Sequence, residues 1–264
     1  MKVHSSDNLS QVEKEGRADT VARYSNVLLD EGAGSSEEGG MLDKLFSVTE
    51  LNNALRKLGK STPGRDSICY GMLENLGERG KEFLVKLFNK VWQEGTIPSC
   101  WKESVDIPIK KPGKDPTLPD SYRPIALTSQ MGKVMERMVN DRLVYYFETK
   151  GMINVYQSGF RRGRSTMDPM VCLEHDIRKA QVAKETVLAV FFDIEKAYDM
   201  VWKQGLLIKL KQLGIRGRVL CWIKDFLSEW KIAVRINGGL STEKAKELYG
   251  LCLCICTAVL VRLY

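Results

Sequence analysis

Apolar residues recur at helical spacing along most of the chain, and short β-branched runs separate the helical stretches. Leu51, Ala54, Leu55 and Leu58 form the first stripe. Ser47 and Glu50 precede it at capping-box spacing and Gly59 follows it, which sets both ends of a helix. Lys81 to Glu94 predicts a second amphipathic helix closed by Gly95, with Phe83, Leu84, Leu87, Phe88, Val91 and Trp92 on one face. Aromatic residues at this spacing read as core rather than as a ligand platform. Lys133 to Phe147 predicts a helix on Val134, Met135, Met138, Val139 and Leu143, and Met167 to about Lys184 another, with Ser165 as its N-cap. Trp202 to Leu213, closed by Gly214, and Arg218 to Leu227 complete the helices. Glu103 to Ile109, Val187 to Phe192 and Lys231 to Ile236 read as strands, the last followed by Asn237-Gly238 as a two-residue hairpin turn.

The run Val187 to Phe192 is short and rich in Val and Phe, so a buried strand fits it better than a helix. It ends in Asp193. A carboxylate at the end of a buried strand is held by a rigid element and still reaches solvent, which suits a metal ligand. Asp193 is equally placed to cap the turn that follows. Two basic turns stand earlier, Lys60 to Asp66 and Lys110 to Lys114, the second fit either for a phosphate backbone or for solvent. Gln157 to Thr166 (Gln-Ser-Gly-Phe-Arg-Arg-Gly-Arg-Ser-Thr) carries three arginines between glycines and runs into a helix N-terminus, a combination that suits anions. The alternative is a basic loop that only supports its neighbours, with Gln157 and Phe160 structural. Lys133 begins its predicted helix, where a cation gains nothing from the helix dipole; an outside anion explains it, and so does chance.

Composition narrows the partners. A chain of 264 residues has room for a core and for one or two domains, and 44% hydrophobic with 28% charged residues is a globular balance. The net charge of +7 and pI of about 9.0 favour a polyanionic partner. Residues 1–44 hold five Lys/Arg against nine Asp/Glu, so the remainder is more basic than the whole. That head, with its Gly/Ser/Glu run over 31–40, reads as an acidic disordered linker. Seven cysteines without paired metal spacing read as reduced thiols of an intracellular protein. Cys252, Cys254 and Cys256 share one side of an extended stretch but lack the fourth ligand of a zinc site. Lys2 to Arg23 is too polar for a secretory leader, and no run reaches the roughly 18 apolar residues of a spanning helix.

Phe192-Asp193-Ile194-Glu195-Lys196-Ala197-Tyr198-Asp199 resembles the first catalytic motif of reverse transcriptases, most of all those of non-LTR (LINE-type) retrotransposons. The resemblance implies that Asp193 and the Ile194 carbonyl bind Mg²⁺ (or Mn²⁺). It implies that Glu195, Lys196 and Ala197 cradle the dNTP triphosphate and that Tyr198 closes off the ribose 2′ side. Ser121 to Ser129 (Ser-Tyr-Arg-Pro-Ile-Ala-Leu-Thr-Ser) resembles the family's fingers hairpin motif and makes Arg123 and Lys133 candidate triphosphate contacts. Gln157 to Thr166 is similar to the family's Gln-x-Gly-Phe-Arg-x-Gly-x-Ser-Thr motif, which puts Gln157, Gly159, Phe160, Arg161 and Arg164 at the nucleic acid or in its support. The helix before Gly59 and the turn after it resemble the entry to the fingers. Arg65 and Ser67 stand where the family's usual Pro-Gly-Pro-Asp-Gly has its second Pro and second Gly.

The implied fold is α+β: right-hand polymerase fingers and an incomplete palm over 45–246, the palm sheet antiparallel and packed by helices. The resemblance stops there. The family continues with a Gly-Val-Pro-Gln-Gly-Ser-like motif and an Ala-Asp-Asp hairpin; residues 247–264 form an aberrant apolar tail instead, and the chain holds no Asp-Asp pair. A frameshift, a retained intron or a degenerate copy produces such a change. The expected function is that of a fragment of an RNA-directed DNA polymerase, whose intact form adds dNTPs to a DNA primer 3′-OH on an RNA template by two-metal transfer. Asp193 and the Ile194 carbonyl do not complete that ligand set, so the fragment is expected to be inactive alone. A non-catalytic RNA/DNA-binding remnant and a relic without function are the alternatives. Template, primer and dNTPs are the expected partners, without a membrane; cytoplasm and nucleus are the expected compartments, and the oligomeric state stays open.

Overall fold

The computed structural model of the chain describes residues 40–57, 59, 61–193, 201–236 and 238–246. Helix α1 (Val48–Arg56) starts on the expected capping box: Ser47 Oγ accepts from the Glu50 N–H at 3.2 Å and Glu50 Oε2 accepts from the Ser47 N–H at 2.9 Å. Its buried face is Leu51, Ala54 and Leu55, while Leu58 lies outside the described residues. Packing reaches back past Leu45, for Leu42 is buried in the core.

After the short helix α2 (Tyr70–Glu74), α3 (Glu78–Glu94) ends at Gly95, whose φ of 66° is the left-handed conformation a helix end favours. Its buried face is rotated from the predicted one. Val85 is inside and Phe83 is 72% exposed, because the stripe centres on Leu84, Phe88, Val91 and Trp92. Strands β1 (Glu103–Lys110) and β2 (Tyr122–Thr128) form an antiparallel hairpin. Helix α4 (Gln130–Thr149) follows with Ser129 at its N-cap, so Lys133 lies in the first turn rather than at the helix start. Val134, Met135, Met138, Val139 and Leu143 are all buried, as their spacing predicts. Helix α5 (Met167–Ala183) buries only Ala180; its N-cap is Thr166 rather than the expected Ser165, whose Oγ nonetheless accepts from the Met167 N–H at 3.2 Å from one position before the cap. Helices α6 (Lys203–Gln212) and α7 (Gly217–Phe226) lead to β3 (Trp230–Ile236), β4 (Gly239–Leu240) and β5 (Lys244–Lys246).

The five strands form one mixed sheet in the order β2-β1-β3-β4, with β5 also pairing β3. It is not antiparallel throughout. β1 and β3 run parallel with Glu103 opposite Lys231, which the long connection through α4 to α7 permits. One core joins α1, α3, α4, α6 and α7. At its centre Phe46 meets Trp92 at 4.9 Å, and Trp222 stacks on Phe226 at 4.9 Å. Asp43 and Gly217 close the far side of α7: Gly217 has a φ of 67° and leaves no room for a Cβ beneath the Asp43 carboxylate.

The predicted strand Val187 to Phe192 does not form. Residues 185–193 are irregular and exposed, with Leu188 88% and Phe192 91% open to solvent. A strand needs a neighbour to accept and donate its backbone hydrogen bonds, and among the described residues no strand pairs with this segment. Its composition expresses a preference that becomes structure only when both faces are covered.

Candidate nucleotide and nucleic-acid site

At the junction between β2 and α4, segments distant in sequence converge on one buried side chain. Gln130 is fully buried, and its amide Nε2 donates to Ser61 Oγ at 2.9 Å and to the Thr62 carbonyl at 3.0 Å. Gly64 lies against the same junction; a Cβ on it would meet the Thr128 carbonyl carbon at 2.6 Å and the Ser129 nitrogen at 2.7 Å. These contacts pin the loop over 61–66 to the start of α4, and Arg65 ties it to the sheet through ion pairs with Glu243 and Glu103.

Lys133 stands at this junction, half-buried, between Glu136 one turn along α4 and Asp66 of the pinned loop. Burial pushes its ammonium below the ordinary value, while Glu136 and Asp66 act in the opposite sense. Burial also pushes the Glu136 carboxyl up to about 8, against the pull of Arg137 and Lys133. The two side chains line a cleft with aromatic walls from Trp101, Trp222 and Trp230. Thr128 Oγ1 and Trp222 Nε1 line it too, buried and without a hydrogen-bond partner among the described residues. At the cleft's edge Lys102 pairs with Asp225 at 3.1 Å. The sequence reading missed Glu136, Asp66 and Gln130. Only the Lys133/Glu136 pair left a signal, in its i,i+3 spacing.

Arg123 does not join Lys133. It is exposed on β2 opposite Ile109, five strand positions before Thr128, or about 17 Å along the strand. It shares the outer end of the hairpin with Lys110 and Lys111, the latter donating to the Asp120 carbonyl at 2.7 Å. The two candidate cations therefore mark the two ends of one basic hairpin.

The loop between α4 and α5 divides its arginines. Arg161 is tied to Glu148 by a bidentate pair at 2.9 and 2.7 Å and also donates to the Asn154 and Gln157 carbonyls. This places it in support rather than toward a ligand. Gln157 is buried, and its amide donates to the Gly159 carbonyl at 3.2 Å. Gly159 and Phe160 are exposed, and Arg164 makes a long contact of 3.8 Å to Asp168 and adds its charge to the field at Glu148.

Asp193 is exposed at the end of the irregular segment. Ile194, Glu195, Lys196, Ala197 and Tyr198 lie outside the described residues. A pair of catalytic Mg²⁺ ions needs several oxygen ligands converging on each ion. Among the described residues no three His, Cys, Asp or Glu side chains are grouped to hold a metal. The described donors do not fit such a pair.

A family model described as "Reverse transcriptase (RNA-dependent DNA polymerase)" matches residues 109–251. The chain is 34% identical over 199 residues to the "RNA-directed DNA polymerase from mobile element jockey" of Drosophila melanogaster, covering 75% of this chain and 22% of that protein. It is 33% identical over 202 residues to the "Probable RNA-directed DNA polymerase from transposon BS" of the same species, covering 76% and 22%. A polyprotein from the type-1 retrotransposable element R2 of Popillia japonica is 27% identical over 150 residues, covering 57% and 20%. The matched stretch is about a fifth of the length of each of these relatives.

Proposed function

This chain belongs to the reverse transcriptase (RNA-dependent DNA polymerase) family, as a domain of the LINE type, and we propose that it supplies the fingers and part of the palm of an RNA-directed DNA polymerase. The observation that carries this reading is the family match over 109–251, which takes in the end of β1, all of β2, Lys133 on α4 and the arginine loop as one continuous stretch. In this reading Lys133 meets the negative charge of the incoming dNTP, and the cations at the outer end of the hairpin meet nucleic-acid phosphates. Template RNA and DNA primer lie along the basic surface, and Asp193 would be one of several carboxylates needed to hold a divalent cation, which would supply charge stabilisation for the transfer when bound.

What the chain's own residues contribute is binding and positioning. Lys133 is held by a helix turn that Gln130 and Gly64 immobilise, so its ammonium is presented from a fixed backbone. Exposed Arg123 and the lysines of the hairpin end supply charge that steers and grips phosphates without reading sequence. Asp193 alone does not make a cation site. The second reading, a nucleic-acid-binding remnant without catalysis, is favoured by the segment before Asp193, which is exposed and pairs with no strand among the described residues.

Primer extension tests both readings. The chain and its Asp193→Ala variant are mixed with an RNA template, a DNA primer, dNTPs and Mg²⁺, and template-primer binding is titrated against salt. The expected result is salt-dependent binding by both proteins and extension by neither. Extension by the parent and not by the variant would show that further carboxylates of the chain complete the cation site, and would remove the remnant reading. Absence of binding would remove both.

A further inference from the structure

The loop over 151–166 is rigidly built, yet it turns its aromatic rings outward. Ile153 anchors it in the core and Gln157 is buried beneath it. Its backbone closes around Arg161, which takes Glu148 at 2.9 and 2.7 Å and the Asn154 carbonyl at 2.9 Å. Asn154 adds two further ties: its side-chain oxygen accepts the Tyr156 N–H and its carbonyl the Gln157 N–H, both at 3.0 Å. A loop held this firmly has the means to fold its rings inward, yet Tyr156 is 86% exposed and Phe160 50% exposed. Phe160 also has a φ of 59°, a conformation costly for a bulky side chain, and half of the residue's surface stays open to solvent. Arg162 and Arg164, which follow Phe160 closely in the chain, are exposed, Arg164 with a long contact of 3.8 Å to Asp168, while Arg161 is committed to Glu148.

We propose that Tyr156 and Phe160 form a stacking platform for unpaired bases of a nucleic-acid strand, with Arg162 and Arg164 meeting the adjoining phosphates. Every base has a π-face, so such a platform tolerates any sequence, and the flanking cations hold the backbone in register. A duplex keeps its base faces stacked on one another, so the platform selects single strands. A preset backbone limits the ordering cost on binding, which gives the strained and exposed ring a physical purpose. The inference rests on the nucleic-acid reading above and adds to it the part of the strand that is recognised.

The test uses the full chain and fluorescently labelled strands of about 12 nucleotides, a length within the range of known single-strand sites. The strands are oligo(U), oligo(dT) and an abasic strand with the same phosphates. Tyr156→Ala and Phe160→Ala are each expected to weaken binding to the base-bearing strands about tenfold at fixed salt, and to leave abasic binding unchanged. Tyr156→Phe and Phe160→Tyr are expected to retain parental affinity. Arg162→Ala is expected to weaken all strands alike and lower the salt slope. A loss confined to oligo(U) or to oligo(dT) assigns the platform to RNA or to DNA, and a loss on both assigns it to either strand. Equal loss on the abasic strand, or no loss on any strand, overturns the platform while leaving the nucleic-acid reading in place. A parent that binds no strand overturns both. Melting of each variant is followed alongside, and if an alanine variant unfolds early the conservative pair and the abasic comparison decide.

Discussion

Glu136 keeps its proton into the neutral range because α4 holds its carboxyl at a largely apolar cleft, and the nearby Arg137 and Lys133 do not offset the lost hydration. The consequence for stability has a definite sign. The folded chain retains this proton up to about 8, whereas the unfolded chain releases it near 4.5. The contribution is therefore fully present below pH 4.5 and is lost as pH rises toward 8. Glu136→Gln keeps the shape and removes the titration. Urea unfolding should find the variant and the parent close at pH 4.5 and the variant the more stable at pH 8; the opposite order would show that the ionised carboxylate is the favoured form. Such a residue is hard to see in sequence, where only the Lys133 spacing hints at it, because the cleft is made by Trp222 and Trp230 arriving from far along the chain. The arginines of the loop pose the same difficulty. Arg161, Arg162 and Arg164 look alike on paper, and only the fold shows that Glu148 takes the first.

Elements whose signals are local were legible in advance. Ser47 and Glu50 announce α1, Gly95 ends α3, and β1 covers the Glu103 to Ile109 stretch that its residues mark as a strand. What fastens α1 to the body is not local. Arg142 of α4 is buried, pairs with Glu50 at 2.7 Å, donates to the carbonyls of Leu42, Lys44 and Leu45, and lies over the Phe46 ring at 4.0 Å. Arg142→Ala strands these acceptors, and urea unfolding should show a loss of about 2–4 kcal/mol. A loss under about 0.5 kcal/mol, the level of an exposed pair, would mean that the clamp carries no load. The segment before Asp193 is the reverse case. Its Val and Phe content is that of a buried strand, but pairing is a property of two segments, and periodicity reads only one. Leu188→Lys with Phe191→Ser should leave the melting temperature within a degree or so and reduce aggregation, since neither side chain is buried. A drop of several degrees would reveal packing that the exposed positions do not show.

The molecule as a whole is a basic body behind an acidic head. Residues 1–39 contain four Lys/Arg and eight Asp/Glu, so their removal makes the chain more positive. Binding of a single-stranded oligonucleotide should tighten on that removal at low salt, and the gain should vanish near 1 M salt, where screening acts within about 3 Å. Unchanged affinity at low salt would mean that the head's charge does not reach the binding surface. The sheet carries a consequence of another kind. β1 and β2 leave the ribosome together and can pair at once, but β1 finds its parallel partner only when Lys231 to Val234 has been made. The chain between must first be gathered, so the half-built sheet spends much of synthesis with the long side of β1 unclaimed. The parallel seam is thus the late, slow step of folding, and the interval before it closes is when a nascent chain is most open to chaperones or to a wrong partner.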